Sequence, residues 1–261
     1  MPTVSIDDLR GALAAWVAAE SERLGTAGWW RPPLLAAAPI DSRFEQLPRI
    51  AADDHLLPRD LLPTANSVIV FFLPFRKELV RANHPGARPS RDWGVAYVQT
   101  NALISQLGRA LADLLEAQGF RCGLTPATHN FDEEKLMARW SHKHLGHLVH
   151  LGRFGTHRML ITPAGCAGRL GSLVTEADLG DHPLVSAREA CLLKAGKACG
   201  LCIKTCPVKI FGQSDDRPFS LDENEAEART FIAEQPRNTR VAPRHRGSST
   251  LGTGARAWAS P

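Results

Sequence analysis

Long apolar runs are missing from this 261-residue chain, and none reaches the length of a membrane-spanning helix. Its first residues, MPTVSIDDLR, contain early acids and lack the basic region followed by an apolar run that defines a signal peptide. No twin-arginine pair precedes the first predicted helix. We therefore expect a cytoplasmic protein without a membrane span.

Cysteine is scarce, and acidic residues are absent from one end of the chain. Six cysteines in a chain of this length do not suggest a disulfide scaffold. Residues 235–261 contain no acid and five of the 31 basic residues, which leaves 26 basic against 27 acidic residues elsewhere. The net charge of +4 therefore comes from this stretch, and no nucleic-acid-binding face is implied for the remainder. The stretch lacks periodicity and is predicted to be a disordered basic tail.

Four of the six cysteines lie together in the segment CLLKAGKACGLCIKTCP. The spacing is C-x7-C-x2-C-x3-C-P, and its last three cysteines match the tail of the bacterial ferredoxin pattern. Two cysteines separated by two residues place both sulfurs on one side of a tight turn, and the proline then directs the chain away. The pattern predicts one [4Fe–4S] cluster. Its ligands are Cys191, Cys199, Cys202 and Cys206.

Two features of this segment leave alternatives open. Four cysteines also suit tetrahedral zinc, although zinc knuckles usually pair two short C-x2-C units and lack the C-x3-C-P ending. The usual ferredoxin spacing would place a cysteine at position 196, which is Gly196 here, so Cys191 supplies the remaining thiol. The segment is rich in lysine, which either offsets the negative charge of the cluster or forms an ordinary solvated loop. These lysines are Lys194, Lys197, Lys204 and Lys209.

Apolar patterning predicts an α/β (α+β) fold. Helical periodicity covers residues 5–24, 93–118 and 136–149. The continuous apolar run NSVIVFFLP predicts a central buried strand, and shorter strands are expected at residues 120–126, 159–162 and 173–175. Residues 28–58 are expected to be irregular and lid-like, with their Trp pair packed in a loop core or facing a flat ligand. Residues 75–78 follow the central strand, where open α/β sheets place ligand contacts.

Histidines and glycines make up a second group of candidates. Histidines at helical spacing either share a metal or are simply exposed or hydrogen-bonded, and the second interpretation is favoured because no carboxylate or cysteine completes an obvious ligand set. They are His142, His144, His147 and His150. The glycines that follow mark tight turns or close backbone approach to a ligand. Cys122 and Cys166 are expected to be free thiols.

Two segments together resemble the epoxyqueuosine reductase-like iron–sulfur proteins, which are relatives of the reductive dehalogenases. They are SHKHLGHLVHLGRFGTHRMLITPAGCAGRLGSLVT and CLLKAGKACGLCIKTCPVKIF, and the likeness spans about residues 60–211. The resemblance implies a nitroreductase-like α/β sandwich body over residues 1–180 and a small ferredoxin-like 4Fe-4S domain over residues 181–220. It also implies that the body can bind cobalamin. The backbone that would approach this cofactor closely is that of Gly152, Gly155, Gly165 and Gly168.

The function implied by the resemblance is that of an oxidoreductase, in which one [4Fe–4S] cluster passes electrons to a bound cofactor such as cobalamin. The implied partners are a flavodoxin or ferredoxin-like electron donor and a tRNA-base or small-molecule substrate. The full enzymes carry a second cluster, but no cysteine follows Cys206, and their proposed general acid falls near Leu136. No catalytic residue is therefore assigned. The other functional classes are a noncatalytic ferredoxin-type electron carrier and a zinc-stapled interaction protein.

Overall fold

The computed structural model describes residues 4–25, 29–83, 90–125, 131–132, 137–186 and 188–206. All of them fall within one compact unit, Met1–Pro218. The helices are α1 Ile6–Arg23, α2 Leu47–Ile50, α3 Pro58–Leu61, α4 Lys77–Ala82, α5 Arg91–Glu116, α6 His142–Leu148 and α7 Leu201–Thr205. The strands are β1 Leu34–Pro39, β2 Ser67–Pro74, β3 Cys122–Leu124, β4 Phe131–Asp132, β5 Met137–Ala138, β6 Arg153–Phe154, β7 Leu160–Ile161 and β8 Gly168–Thr175.

The main sheet has the order β1-β2-β8-β3, and each neighbouring pair is antiparallel. Every residue of β2 is buried, which confirms the predicted central strand. Alternate β2 side chains point to opposite faces of the sheet. Phe71 packs in the cluster formed with α1 and α5, and Val70 lies towards Gly146 of α6. Because helices cover both faces, the strand is continuously apolar instead of alternating.

Local sequence signals explain the two long helices. Ser5 caps α1, since the Asp8 amide donates to its Oγ at 3.1 Å and the Asp8 carboxylate accepts from the Ser5 amide. Ser90 caps α5, accepting from the amide of Trp93 at 3.2 Å. Beyond α5, Gly119 adopts φ +88, the left-handed conformation that ends helices. Both predicted helices are confirmed with small shifts of their ends.

One prediction about the body is wrong, and the reason given for ligand contacts at residues 75–78 does not hold, so those contacts stay a prediction. Residues 28–58 are predicted to be irregular, yet they contain the edge strand β1. Its sequence is rich in alanine and flanked by prolines, which is not typical of a strand. In the same region Trp30 is buried and its indole N–H donates to Thr100 Oγ1 at 2.9 Å, so this ring packs in the core.

The main sheet is antiparallel, so the rule that ligands bind beyond the carboxyl ends of parallel strands does not apply to residues 75–78.

The predicted helix at residues 136–149 is shorter than expected. It begins at His142, because Met137–Ala138 pairs with Phe131–Asp132 as a short antiparallel strand pair. Leu136, named as the counterpart of the general acid, lies outside the described residues, as does the expected tail at residues 235–261. Of the helices that the structure describes, none is long and apolar enough to cross a membrane.

The mixed helices and sheet confirm the α/β (α+β) class. The division into a body at residues 1–180 and a ferredoxin-like domain at residues 181–220 stays a prediction.

Candidate cluster-binding site

The segment that follows Cys191 folds back on itself in tight turns. The amide of Ala195 donates to the carbonyl of Cys191 at 2.9 Å, and that of Lys197 donates to the carbonyl of Leu192 at 2.8 Å. Gly196 lies at this turn with φ +72. A side chain is disfavoured in this left-handed conformation, which explains why glycine stands where the usual ferredoxin spacing has cysteine.

A second left-handed glycine separates the central pair of cysteines. Gly200 has φ +88 and precedes α7, the short helix that carries Cys202. Its carbonyl accepts from the amides of Ile203 at 3.1 Å and Lys204 at 3.0 Å. The chain therefore turns sharply between Cys199 and Cys202, as the C-x2-C spacing predicts.

The thiol of Cys191 has the most developed surroundings of the four. Its side chain is buried, and Sγ lies 3.5 Å from the hydroxyl of Thr156. Burial opposes ionisation, but hydrogen bonds from the Thr156 side chain and from the backbone N–H groups of Thr156, Lys194 and Leu193 outweigh it and lower the pKa of the thiol. The thiolate is the form of cysteine that binds metal, and hydrogen bonds to sulfur tune iron–sulfur clusters. The chemistry at Cys191 therefore fits a cluster ligand.

The remaining thiols are less enclosed. Burial raises the pKa of the half-buried Cys202, the Ile203 amide opposes this, and the charges of Cys191 and Cys199 raise it further. The thiols of Cys191 and Cys199 are therefore near enough to act on that of Cys202. Cys199 is exposed and Cys206 is half-buried. Among the described residues, no group of three His, Cys, Asp or Glu side chains is arranged to hold a metal ion, so the four-cysteine ligand set stays a prediction.

A partly buried ion pair ties the cysteine segment to the body. Lys194 Nζ donates to the carbonyl of Phe154 at 2.9 Å and lies 3.1 Å from Glu189 Oε2. The other oxygen of Glu189 accepts from the amide of Cys191 at 3.0 Å. We call Lys194, Glu189 and the Phe154 carbonyl the clasp. Burial lowers the pKa of Lys194, and the Glu189 carboxylate opposes this.

The lysines of the cysteine segment differ in their surroundings. Lys194 is neither an open countercharge nor part of a solvated face, because its side chain is only 11% exposed. Lys197 and Lys204 are exposed, and Lys209 lies outside the described residues. The sequence does not reveal Thr156 or Glu189 as site residues, and no motif around Thr156 marks it. Glu189 carried a weak signal, since a carboxylate two residues before a cysteine can accept its backbone N–H.

The glycines predicted to approach a cofactor have structural roles in the protein itself. Gly165 has φ +88 in a turn closed by paired hydrogen bonds with Thr162. At the other three, an added Cβ would clash with protein atoms: the Ile161 carbonyl at Gly152, the His157 ring at Gly155 and the Leu73 carbonyl at Gly168. The close approach that Gly152, Gly155 and Gly168 permit is therefore made by the chain itself. Contact with a cofactor at these positions stays a prediction.

The four histidines at and after α6 make different contacts, although the rings of His144 and His147 both lie against Phe154. They are His142 with Nδ1 2.7 Å from Ser172 Oγ, His144 with Nδ1 2.6 Å from Ser141 Oγ, His147 stacked on Phe154 and His150 in the turn after α6. Two of the four rings, those of His142 and His144, make the hydrogen bonds that the favoured interpretation expects. Burial and the charge of Arg153 lower the pKa of His147 to about 3, so its ring is neutral at pH 7. Its buried Nδ1 has no hydrogen-bond partner among the described residues.

One cavity lies between α5 and the sheet. Its volume is about 250 Å³, and its walls include Phe71, Ile104, Arg109 and Ser172. Thr125 also lines it, and the buried Thr125 hydroxyl has no partner in the described part of the chain. Small-molecule sites usually measure about 300–1,000 Å³. The cavity is therefore small for a large cofactor.

Among known proteins, only solved structures resemble this chain, and they resemble it in fold. No protein-family profile and no curated sequence matches this chain. Solved structures that match include an epoxyqueuosine reductase from Streptococcus thermophilus, at 13% identity and a TM-score of 0.45, covering 84% of this chain and 57% of that one. Another holds an epoxyqueuosine-modified tRNA stem loop, at 13% identity and a TM-score of 0.43, covering 76% of this chain and 53% of that one.

A catabolic reductive dehalogenase also matches, at 19% identity and a TM-score of 0.41, covering 87% of this chain and 26% of that one. The sequence resembles these same two groups of proteins. The chain spans about half the length of the epoxyqueuosine reductases that it matches. Likeness at this level assigns neither an activity nor a cofactor to this protein.

Proposed function

We propose that this chain is an iron–sulfur oxidoreductase of the epoxyqueuosine reductase-like group that holds one [4Fe–4S] cluster through Cys191, Cys199, Cys202 and Cys206. The observation that supports this most is the environment of Cys191, where three backbone N–H groups and a hydroxyl favour the thiolate in a buried position. A bound cluster supplies one-electron redox chemistry.

The residues around the thiols contribute positioning in this proposal. Gly196 and Gly200 let the backbone adopt the left-handed turns that space the cysteines. The clasp holds the start of the segment against the β6 strand, so that Cys191 stays beside Thr156. Metal ions bind the deprotonated form of cysteine, so a thiol must release its proton when the metal binds. Hydrogen bonds that already stabilise the Cys191 thiolate therefore favour metal binding.

A noncatalytic electron carrier is the second candidate, and the cavity between α5 and the sheet favours it. An enzyme that binds cobalamin requires space for a corrin ring, and the cavity of about 250 Å³ that the described residues form here is smaller than ordinary ligand sites. For the oxidoreductase, the substrate class to test first is a tRNA base. One matching epoxyqueuosine reductase holds an epoxyqueuosine-modified tRNA stem loop. A small molecule is the other substrate class.

Metal analysis of cysteine variants tests the ligand assignment. We expect anaerobically reconstituted protein to contain about four iron and four sulfide ions per chain and to absorb near 400 nm, as [4Fe–4S] proteins do. Cys202→Ala should lose most of the iron. Cys166→Ala is the matched control, because this half-buried cysteine lies outside the segment, and it should keep the full content. Full iron content in Cys202→Ala contradicts the assignment. If the wild-type protein contains stoichiometric zinc and no iron, the four cysteines form a zinc site and not a cluster site.

A further inference from the structure

The hydroxyl of Thr156 is a buried polar group with a single partner. Thr156 is 5% exposed, and its Oγ1 lies 3.5 Å from the Sγ of Cys191. Within the part of the chain that the structure describes, no other group forms a hydrogen bond with this hydroxyl. Burying a hydroxyl costs free energy unless the group is hydrogen-bonded. The contact with Cys191 therefore satisfies the Thr156 hydroxyl in the folded protein.

The state of Cys191 decides the direction of this hydrogen bond. In the free thiol, either atom can be the donor. A thiolate or a metal-bound sulfur has no proton, so it can only accept. Thr156 must then be the donor, and its backbone N–H also donates to this sulfur. A Cys191 that binds metal therefore receives two hydrogen bonds from one residue.

Thr156 belongs to the body of the protein, and a turn fixes its position. The turn follows β6, and the amide of Gly155 donates there to the carbonyl of Met159 at 3.0 Å. The other backbone groups that donate to Cys191 belong to the cysteine segment itself. The Thr156 hydroxyl is therefore a dipole that the rest of the fold holds against the sulfur. A fixed dipole stabilises charge without the cost of reorienting when the charge appears.

We propose that Thr156 is a positioning residue that raises the reduction potential of the cluster through its hydrogen bond to Cys191. The inference depends on the proposed function, because it requires Cys191 as a ligand. Reduction adds one electron, supplied by an external reductant such as dithionite, and makes or breaks no covalent bond. The added negative charge reaches the ligand sulfurs, so a hydrogen bond to sulfur stabilises the reduced state more than the oxidised state.

The Thr156 hydroxyl can be removed without changing any charge. Lys194 also acts on Cys191, but it does so through its charge, and its removal would leave Glu189 without the cation that lies 3.1 Å away. The backbone donors are peptide groups, which no side-chain substitution removes. Substitution of Thr156 therefore isolates one hydrogen bond to the sulfur.

Redox titration of the reconstituted full chain, followed by electron paramagnetic resonance, tests the inference. Thr156→Val keeps the side-chain shape and lacks the hydroxyl. At a fixed potential we expect its ratio of reduced to oxidised cluster to fall by about three- to tenfold, and tenfold corresponds to about 59 mV for one electron. Thr156→Ser keeps the hydroxyl and should titrate like the wild type. So should the matched control Thr205→Val, because the Thr205 hydroxyl donates to the Leu201 carbonyl at 2.8 Å.

Iron and sulfide are measured on every sample, so that the two proposals fail separately. If Thr156→Val holds its cluster and titrates at the wild-type potential or above it, the inference is wrong and the cluster assignment stands. The same conclusion follows if Thr156→Ser shifts as far as Thr156→Val. Thr156→Ala is titrated in parallel, and loss of iron from both variants that lack the hydroxyl would make Thr156 a requirement for cluster binding and overturn its effect on the potential. A wild type without iron overturns the proposed function and this inference with it.

Discussion

At the scale of single residues, the surroundings of Cys191 favour the thiolate, which is the form that binds metal. Its burial alone would keep it protonated, yet the hydroxyl of Thr156 and the surrounding amides lower its pKa. These donors come from two separate parts of the chain, the turn after β6 and the residues that follow Cys191. The clasp brings the two parts together. Loss of the clasp should therefore disturb the hydrogen bonds to the Cys191 thiol.

Replacing Lys194 by Met should loosen the cysteine segment. The change leaves the Phe154 carbonyl and the Glu189 carboxylate without their cation, at a cost of about 1–3 kcal/mol. We expect faster hydrogen exchange at the amides of Ala195 and Lys197. The matched control is Lys197→Met, an exposed lysine three residues away, which should change stability by less than about 0.5 kcal/mol. Equal exchange in both variants would show that the clasp does not hold the segment.

The residues of the site differ in how far the sequence reveals them. The cysteines and the turn glycines are evident because their spacing and type carry the chemistry directly. Thr156 and Glu189 are not, because their role depends on contact across the fold and on one backbone N–H. The sequence shows Lys194 only as a charge near the cysteines, because its contact with the Phe154 carbonyl depends on tertiary packing.

At the scale of elements, turn and cap chemistry was predictable and strand pairing was not. Ser5 and Gly119 mark helix ends by local rules, and the structure follows them. The strand β1 escaped prediction since alanine has low strand propensity, and its place is set by pairing with β2. The direction of the sheet likewise depends on connections that local patterns do not encode.

The turn at Gly196 provides an element-scale prediction. With φ +72 and no atom within 4 Å of an added Cβ, Gly196→Ala meets no clash, so its cost is conformational, about 1–2 kcal/mol. We expect the reconstituted variant to lose its cluster absorbance faster than the wild type in urea. Gly94→Ala is the control, because Gly94 lies in α5 with open space around it and alanine favours a helix. An equally stable Gly196→Ala cluster would contradict the strained turn.

At the scale of the whole molecule, the body is held by a sheet covered on both faces, and neutral histidines lie within it. His55 is 4% exposed; its Nδ1 lies 2.6 Å from the Leu56 carbonyl and its Nε2 accepts from the Ser141 amide at 2.8 Å. The ring also stacks on Trp140. Burial lowers the pKa of His55 to about 4. Protonation would break the bond from Ser141.

Stability should therefore fall in mild acid. The folded-state pKa of His55, about 4, lies below its ordinary value of 6.5, so its neutral form stabilises the fold fully above pH 6.5. This contribution is lost as the pH falls from 6.5 towards 4, and we expect a loss on the order of 1–3 kcal/mol in urea unfolding. His55→Gln should be less stable at pH 7 and show a shallower decline. An unchanged slope in this variant would assign the decline to other groups.

The electron paramagnetic resonance spectrum of anaerobically purified, dithionite-reduced protein tests the cluster most directly. The account predicts the signal of a reduced [4Fe–4S] cluster, present in the wild type and absent from Cys202→Ala. Added cobalamin separates the two candidate functions, since an altered cob(II)alamin signal supports the oxidoreductase and an unaltered one supports the electron carrier. A wild-type protein that contains no iron and gives no cluster signal would contradict the account.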